Sequence, residues 1–175
     1  MSRLLGAIRQ NGYVVRDIHA AMAHWSSTLS VGPFFFFEQA PLEKFCYKGE
    51  PSACRCSIAL ANSGDLQVEL IQQLNDEPSM YRDFLASGNE GLQHLAFWTE
   101  DMDNDLEHMQ KLGYRVGQSG QVGDDGRFVY YDTGGPAGTT IELSEISGAK
   151  GEFFDYVRQA ALDWDGSDPV VRVGG

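Results

Sequence analysis

The chain has 175 residues, enough for one domain or two small fused modules. Its 25 acidic and 13 basic residues give a formal net charge of −12, and no basic run is present, so neither nucleic acid nor an anionic membrane surface is expected as a partner. The longest apolar cluster, Phe34 to Phe37, is far too short to span a bilayer, and residues 1–10 lack the apolar core of a signal peptide. A soluble, cytoplasmic protein is therefore expected.

The first half of the chain shows the pattern of a strand, a helix and three further strands. An apolar stretch from Ile8 to Val15 is followed by Asp17 at a helix N-cap position. An amphipathic stripe then runs from Ile18 to Leu29, and Gly32-Pro33 ends that helix. Strand-like segments follow at residues 34–38, 55–61 and 66–72, with a turn at residues 62–65 between the last two.

The second half repeats this order without repeating the residues. A strand is predicted over residues 92–99, and the acidic residues at 100–103 suit the start of a helix. Its apolar stripe extends to Leu112, and Gly113 stops it. Strands are predicted near residues 115–118, 127–132 and 139–146. A short helix near residues 79–86 lies between the halves, a last amphipathic helix follows the second half, and residues 166–175 are expected to be frayed.

The sequence thus predicts two βαβββ modules. The first covers residues 5–74 and the second residues 91–148, with a linker at 75–90 and a C-terminal helix and tail at 149–175. Each module supplies one polar donor on its first strand, Gln10 or His94, and one carboxylate on its last strand, Glu69 or Glu142. Taken singly, such residues are usually solvated or hydrogen-bonded strand residues. Their matched placement in both halves instead predicts a divalent metal site between the modules.

The three cysteines, Cys46, Cys54 and Cys56, argue against a disulfide framework because their number is odd. Cys54 and Cys56 lie two residues apart, which places both thiols on one face of a strand. The sequence offers no further cysteine or histidine ligand near them. They are therefore interpreted as free thiols that pack as small apolar side chains.

The two module openings, residues 8–18 and 91–97, resemble those of the glyoxalase, bleomycin-resistance and dioxygenase superfamily, also called the vicinal oxygen chelate superfamily. Residues 66–70 and 140–143 resemble its closing strands. The resemblance covers about residues 5–148 and is nearest to methylmalonyl-CoA epimerase and the related glyoxalase-like group. It implies an α+β fold in which paired βαβββ modules form a cupped eight-stranded mixed sheet, and it implies a homodimer.

By the same resemblance, Gln10, Glu69, His94 and Glu142 match the four metal-ligand positions, for one ion of Zn, Co, Ni, Mn or Fe. A Gln, Glu, His, Glu set is the pattern of glyoxalase I, whereas epimerases place His first and Gln second. Extradiol dioxygenases use two His and one Glu on iron, and Gln10 departs from that pattern too. In the epimerases a glutamate between the second and third strands acts as an acid and base. Glu43 and Glu50 lie in that segment, and Glu50 is the better positional match.

The function expected is a metal-dependent isomerase, epimerase or glyoxalase-type lyase. It would act on a small-molecule substrate, an acyl thioester or a 2-oxo-type compound, through an enolate, with Glu142 or Glu50 carrying the proton. Two alternatives stay open. One is a binding protein that holds an apolar ligand without chemistry, and the other is an iron-dependent ring-cleaving dioxygenase.

Overall fold

The chain folds as two successive rounds of strand, helix and strands, followed by a C-terminal helix. The computed structural model describes residues 2–174. Its strands are β1 (Gln10–Val14), β2 (Phe34–Phe37), β3 (Leu42–Tyr47), β4 (Glu50–Pro51), β5 (Cys56–Ser63), β6 (Leu66–Gln73), β7 (Gly91–Thr99), β8 (Arg115–Val122), β9 (Arg127–Asp132), β10 (Thr140–Glu145) and β11 (Val170–Arg172). Its helices are α1 (Ile18–Leu29), α2 (Met80–Ala86), α3 (Met102–Lys111) and α4 (Ala149–Leu162).

Helix α1 begins at the cap that the sequence predicts, and α3 begins within the predicted cluster of acidic residues. The Asp17 carboxylate accepts a hydrogen bond from the Ala20 amide at 2.9 Å, which satisfies one free N–H of the first turn of α1. Asp101 caps α3 in the same way. The Gly113 backbone has φ +84°, a left-handed conformation that favours glycine and stops α3.

All the strands join one mixed sheet in the order β11-β2-β5-β6-β1-β7-β10-β9-β8-β3-β4. In each module the first and last strands are parallel neighbours, β1 with β6 and β7 with β10. The modules meet through the antiparallel pair of β1 and β7, and the strand order on either side of this pair is mirrored. The paired-module fold is therefore confirmed, with all eight expected strands present.

Three further strands extend the sheet beyond the eight. β3 and β4 form a hairpin from the first module, yet β3 pairs with β8 at the edge of the second module. β11 pairs in parallel with β2 through Val170 and Phe34. The prediction of a frayed tail was wrong for residues 170–172, because the unpaired edge of β2 offers these residues backbone hydrogen bonds that no local pattern reveals.

The position of β3 requires that the sheet curls. β2 and β3 are eight strand spacings apart in the sheet order, which would be about 38 Å in a flat sheet. Residues 38–41 connect them, and the path from Phe37 to Leu42 spans at most about 18 Å. The two ends of the sheet are therefore brought together, and the sheet encloses a cup.

The module helices α1 and α3 cover the outer face of the sheet, whereas α2 and α4 pack on the inner face beside the cup. Ile18 and Met22 of α1 pack with Phe34 and Leu70 in one core, and Met102 and Met109 of α3 pack in a second core on the other module. Aromatic residues such as Tyr81, Phe128 and Tyr130 belong to a third cluster. Among residues 2–174, no helix has both the length and the apolar character needed to cross a bilayer.

Candidate metal centre

The four side chains predicted as ligands lie on the four central strands of the sheet. Gln10 is on β1, Glu69 on β6, His94 on β7 and Glu142 on β10. Residues two apart on a strand share a face, and the strand registers place all four side chains on the face that lines the cup. Gln10, His94 and Glu142 are buried, and Glu69 is nearly so.

Three of these side chains converge on one point. His94 Nε2 lies 3.0 Å from Glu142 Oε2 and 3.3 Å from Glu69 Oε2, and the ligating atoms of the three residues all lie within 4.8 Å of one another. Two ligands at about 2.1 Å from one ion are about 3.0 Å apart at a right angle and about 3.4 Å apart at a tetrahedral angle. The spacing therefore matches donors that share a divalent ion.

The cluster also contains buried oxygen atoms that lack an ordinary hydrogen-bond partner. Oε1 of Gln10 has none, and Oε2 of Glu69 and Oε2 of Glu142 have only the contact with His94 Nε2. Buried polar atoms are almost always paired, because an unpaired one loses its hydration without compensation. Gln10 Nε2 donates to Gln67 Oε1 at 2.8 Å, which leaves the amide oxygen as the free donor atom of Gln10. This set of oxygens fits a bound cation.

The neighbours of His94 orient its ring for ligation. Nδ1 lies 2.8 Å from Gln93 Oε1, so in the neutral ring Nδ1 donates its proton there and Nε2 keeps a free lone pair. The Tyr130 ring packs edge-on against the imidazole with centroids 4.8 Å apart. Tyr81 Oη donates to Tyr130 Oη at 3.1 Å, which fixes that second ring.

A small residue stands opposite each donor on the central strand pair. Gly12 faces His94, and Ala96 faces Gln10. The His94 ring lies directly over Gly12, where an added Cβ would be 1.7 Å from Cε1 and 2.0 Å from Nε2 of the imidazole. The space for the imidazole therefore depends on the missing side chain of Gly12.

Burial and mutual charge shift the titration of the cluster. Burial alone would lower the pKa of His94, but the carboxylates of Glu142 and Glu69 overcome this effect and raise it to about 9. Burial raises the pKa of Glu69, and repulsion from Glu142 adds to the rise. Burial also disfavours the Glu142 carboxylate, but the His94 contact holds the pKa of Glu142 below its usual value. In the metal-free protein, the added proton of His94 therefore supplies the positive charge that a bound metal ion would supply.

The cluster opens onto a cavity of about 470 Å³ in the cup. Gln10, Glu69 and Glu142 line its floor, and most of the wall is apolar or aromatic. The residues of that wall include Phe37, Leu42, Ile58, Leu60, Tyr81, Val122, Phe128, Tyr130, Phe153, Phe154 and Val173. The volume is within the range of roughly 300–1,000 Å³ typical of small-molecule sites.

The sequence favours Glu50 over Glu43 as the acid and base. The structure places these two glutamates of the β3–β4 hairpin differently. Glu50 is exposed on β4, next to the turn of the hairpin, and does not line the cavity. Glu43, one strand earlier on β3, is also exposed, but it lines the cavity. The structure therefore brings Glu43, and not Glu50, to the cavity that holds the cluster.

Several residues that shape this centre were missed by sequence reasoning. Gly12 had a readable signal, since glycine inside a strand marks a close approach of another group. Gln67 and Gln93, which hold Gln10 and His94, have no signal of their own in the pattern. Lys150 also lines the cavity, from a helix that follows the second module.

Paired βαβββ modules with amide, imidazole and carboxylate donors on their central strands define a two-module protein with a candidate metal centre. Residues 9–131 match the family model described as the Glyoxalase/Bleomycin resistance protein/Dioxygenase superfamily, and the chain belongs to that superfamily. No curated protein matches the chain significantly.

Solved structures of low sequence identity share the fold. Methylmalonyl-CoA epimerase from Mycobacterium tuberculosis is 18% identical with a TM-score of 0.58, covering 83% of this chain and 91% of its own. A Streptomyces coelicolor methylmalonyl-CoA epimerase variant in complex with 2-nitronate-propionyl-CoA is 21% identical with a TM-score of 0.59, covering 83% and 96%. A hypothetical protein from Bacillus halodurans is 16% identical with a TM-score of 0.57, covering 79% and 93%.

Proposed function

We propose that this protein is a metal-dependent isomerase, epimerase or glyoxalase-type lyase that acts through an enolate form of a small acyl thioester or 2-oxo-type substrate. The observation that carries the proposal is the cluster of Glu69, His94 and Glu142, whose ligating atoms lie within 4.8 Å of one another beside a largely apolar cavity. Superfamily membership and the fold shared with methylmalonyl-CoA epimerases support it.

Gln10, Glu69, His94 and Glu142 would hold one divalent ion, of Zn, Co, Ni, Mn or Fe. When bound, such an ion supplies Lewis-acid stabilisation of negative charge that develops on a substrate carbonyl. The chain itself contributes the exclusion of water, because the aromatic wall around the cluster leaves few competing hydrogen-bonding groups. In this setting, fixed charges act more strongly than they do in water.

Proton transfer is assigned to two glutamates. Oε2 of Glu142, 3.0 Å from His94 Nε2, belongs to the proposed metal cluster, so Oε1 is the oxygen that would accept a proton from the carbon beside the substrate carbonyl. Glu43 lies on β3, three strands from β10 in the sheet order, and lines the same cavity. Glu43 therefore takes the role of the second acid and base, which an epimerase needs on the opposite face of the reacting carbon. Glu50 lies outside the cavity and serves as its control.

The experiment is proton exchange with solvent. Metal-loaded protein is incubated in D2O with methylmalonyl-CoA, with the glutathione hemithioacetal of methylglyoxal, or with 3-methyl-2-oxopentanoate, and the recovered compound is analysed by mass spectrometry. We expect deuterium at the carbon beside the carbonyl. Glu43→Gln should lose the interconversion of the two epimers while it retains its metal and the exchange that Glu142 supports on one face, and Glu50→Gln should behave as wild type.

Other outcomes would contradict specific parts of the proposal. Interconversion of the epimers that persists in Glu43→Gln would remove the role of Glu43. A chain that takes up none of the five metals would remove the metal centre. A metal-loaded chain that binds an apolar ligand in the cavity without exchange would favour the binding protein, a candidate that the apolar wall itself supports.

A further inference from the structure

The cavity is completed by chain that lies outside the two modules. α4 packs over the sheet, where Phe154 and Val157 share a core with Phe35 and Leu60. Phe153 and Phe154 of α4 line the cavity together with Val173, which follows β11. Phe154 also stacks against Trp98 of β7, with ring centroids 4.9 Å apart. The C-terminal segment thus builds one apolar wall of the site.

Lys150, at the start of α4, places a cation in this wall. Its Nζ donates to the backbone carbonyls of Gly126 at 3.2 Å and Arg127 at 3.1 Å, which uses two of its three donors. The rings of Phe128 and Phe154 lie 6.0 Å and 5.9 Å from Nζ. Within residues 2–174, no carboxylate oxygen lies within 4.0 Å of the ammonium.

The carbonyls that hold Lys150 are themselves fixed. Arg127 donates to both carboxylate oxygens of Glu145, at 2.7 and 2.8 Å, and to Asp103 at 2.6 Å. A forked ion pair of this kind sets position as well as energy. The ammonium is therefore held in one place at the cavity wall, and is not free to swing out to solvent.

No carboxylate is in direct contact with this cation. Burial lowers the pKa of Lys150 to about 8, although the charges of Glu142, Glu69 and Glu145 oppose the shift, so the amine is mostly charged at neutral pH. A largely desolvated ammonium that contacts no opposite charge can gain from a direct ion pair, which makes the wall a binding place for an anion. Lys150 is also the one basic residue among those that line the cavity.

The charges of the lining limit that anion. With a divalent ion bound, the ion and Lys150 together would balance the carboxylates of Glu43, Glu69 and Glu142, so the lining carries no excess positive charge and offers Lys150 as its single cationic side chain. The polyphosphate part of a coenzyme A ester would meet no second basic residue in the lining and a chain of net charge −12. A free carboxylic acid fits this balance better.

We propose that Lys150 binds the carboxylate of the substrate, and that the substrate is a small monoanionic carboxylic acid whose apolar body packs against Phe128, Phe153 and Phe154. The proposal rests on the function proposed above, since it names the substrate class of the same cavity. In this proposal, the C-terminal segment selects the substrate and the central strands carry out the chemistry.

The test compares two probes of one shape, 3-phenylpropionate and its neutral amide 3-phenylpropanamide, by calorimetry on the full-length protein. Wild type should bind the carboxylate at least about tenfold more tightly, because charge-assisted hydrogen bonds are the stronger ones. Lys150→Met should abolish this preference and leave the affinity for the amide within about twofold. Lys150→Arg should keep it, and Lys111→Met, which removes an exposed lysine of α3, should change nothing.

A second variant separates recognition from folding. Lys150→Gln can still donate to the carbonyls of Gly126 and Arg127 but carries no charge, so it should fold as wild type and lose the preference. A preference that survives in Lys150→Gln and Lys150→Met would make Lys150 a structural tie for the turn before β9 and overturn the proposal. The proposal would also be overturned if neither probe bound. It would be overturned as well if methylmalonyl-CoA bound more tightly than the probes and its affinity did not depend on Lys150.

The contribution of Lys150 can be separated from that of the metal. In His94→Ala, which removes a ligand of the proposed centre, no ion balances Glu43, Glu69 and Glu142, so the carboxylate preference should be smaller than in wild type, but Lys150→Met should reduce it further. A preference that Lys150→Met leaves unchanged in both backgrounds would show that a metal and not Lys150 binds the carboxylate. Metal uptake by wild type, measured separately, tests the proposed function alone.

Discussion

Adding a single methyl group at Gly12 should remove the metal centre without a change in any ligand. In Gly12→Ala the new Cβ would lie 1.7 Å from Cε1 of His94. Non-bonded carbons approach to about 3.5 Å, so the ring must retreat by about 1.8 Å. Metal–ligand distances tolerate about 0.2 Å. His94 Nε2, now 3.0 Å from Glu142 Oε2, would therefore leave the cluster.

The size of the effect follows from the packing. The backbone of Gly12 is not in the left-handed region, so alanine meets no backbone strain and acts through the clash alone. Overpacking of a closed core costs about 1–3 kcal/mol. For a chain of this size each kcal/mol lowers Tm by about 2–4 °C, so a fall of about 2–12 °C is expected. Metal affinity should fall by at least about a hundredfold, as when a residue that positions a ligand is lost.

The assay is a double-mutant cycle with thermal denaturation in a chelator and metal titration by calorimetry. In a His94→Ala background the imidazole is absent, so Gly12→Ala should then cost almost no stability. Gly117→Ala on β8 is the matched control, because its Cβ would meet the flexible end of Met80 and should leave metal binding intact. Equal stability losses in both backgrounds, or wild-type metal affinity in Gly12→Ala, would refute the argument.

Three further predictions concern charge. The pKa of His94 is about 9 in the metal-free protein, so metal binding near neutral pH should release about one proton, and metal affinity should increase as pH rises toward 9. Calorimetry in two buffers of different ionisation enthalpy measures this proton release. Glu69→Gln should raise the Tm of metal-free protein, since burial and Glu142 oppose the Glu69 charge, and it should weaken metal binding; a lowered Tm in chelator contradicts this. The Arg127 contact lowers the pKa of Glu145, so this ion pair stabilises the fold above the ordinary glutamate pKa, and the stabilisation is lost as pH falls through the lowered pKa. Arg127→Met should therefore flatten the acid limb of a curve of Tm against pH.

The paired-module fold is readable from the sequence because its signals are local. The stripes of α1 and α3, their aspartate caps and the stop at Gly113 are each set within a few residues. The four candidate ligands were found in the same way, since alternation along a strand fixes which side chains share a face. Their convergence needed one further step, that the first and last strands of each module are neighbours.

The hairpin residues were less readable, because alternation fails there. The pairing of β3 with β8 shifts register between Glu43 and Cys46, and Lys44 has φ +48°. A bulge of this kind reorients the side chains around it, so counting residues does not reveal which glutamate reaches the cavity. Lys150 was not identified from the sequence for another reason. It lies on α4, and only the folded sheet shows that the start of this helix returns to the cup.

The late arrival of β11 has a consequence for synthesis. β2 consists of four consecutive phenylalanines, and its outer edge is covered only when Val170 to Arg172, roughly 130 residues later in the chain, pair with it. At ordinary translation rates of about 5–20 residues per second, this interval lasts on the order of ten seconds. An apolar edge strand left open for that time is a template for pairing between nascent chains. The last strand should therefore affect aggregation during expression more than it affects the stability of the folded protein. Variants of residues 170–172 should lower the soluble yield more than they lower Tm.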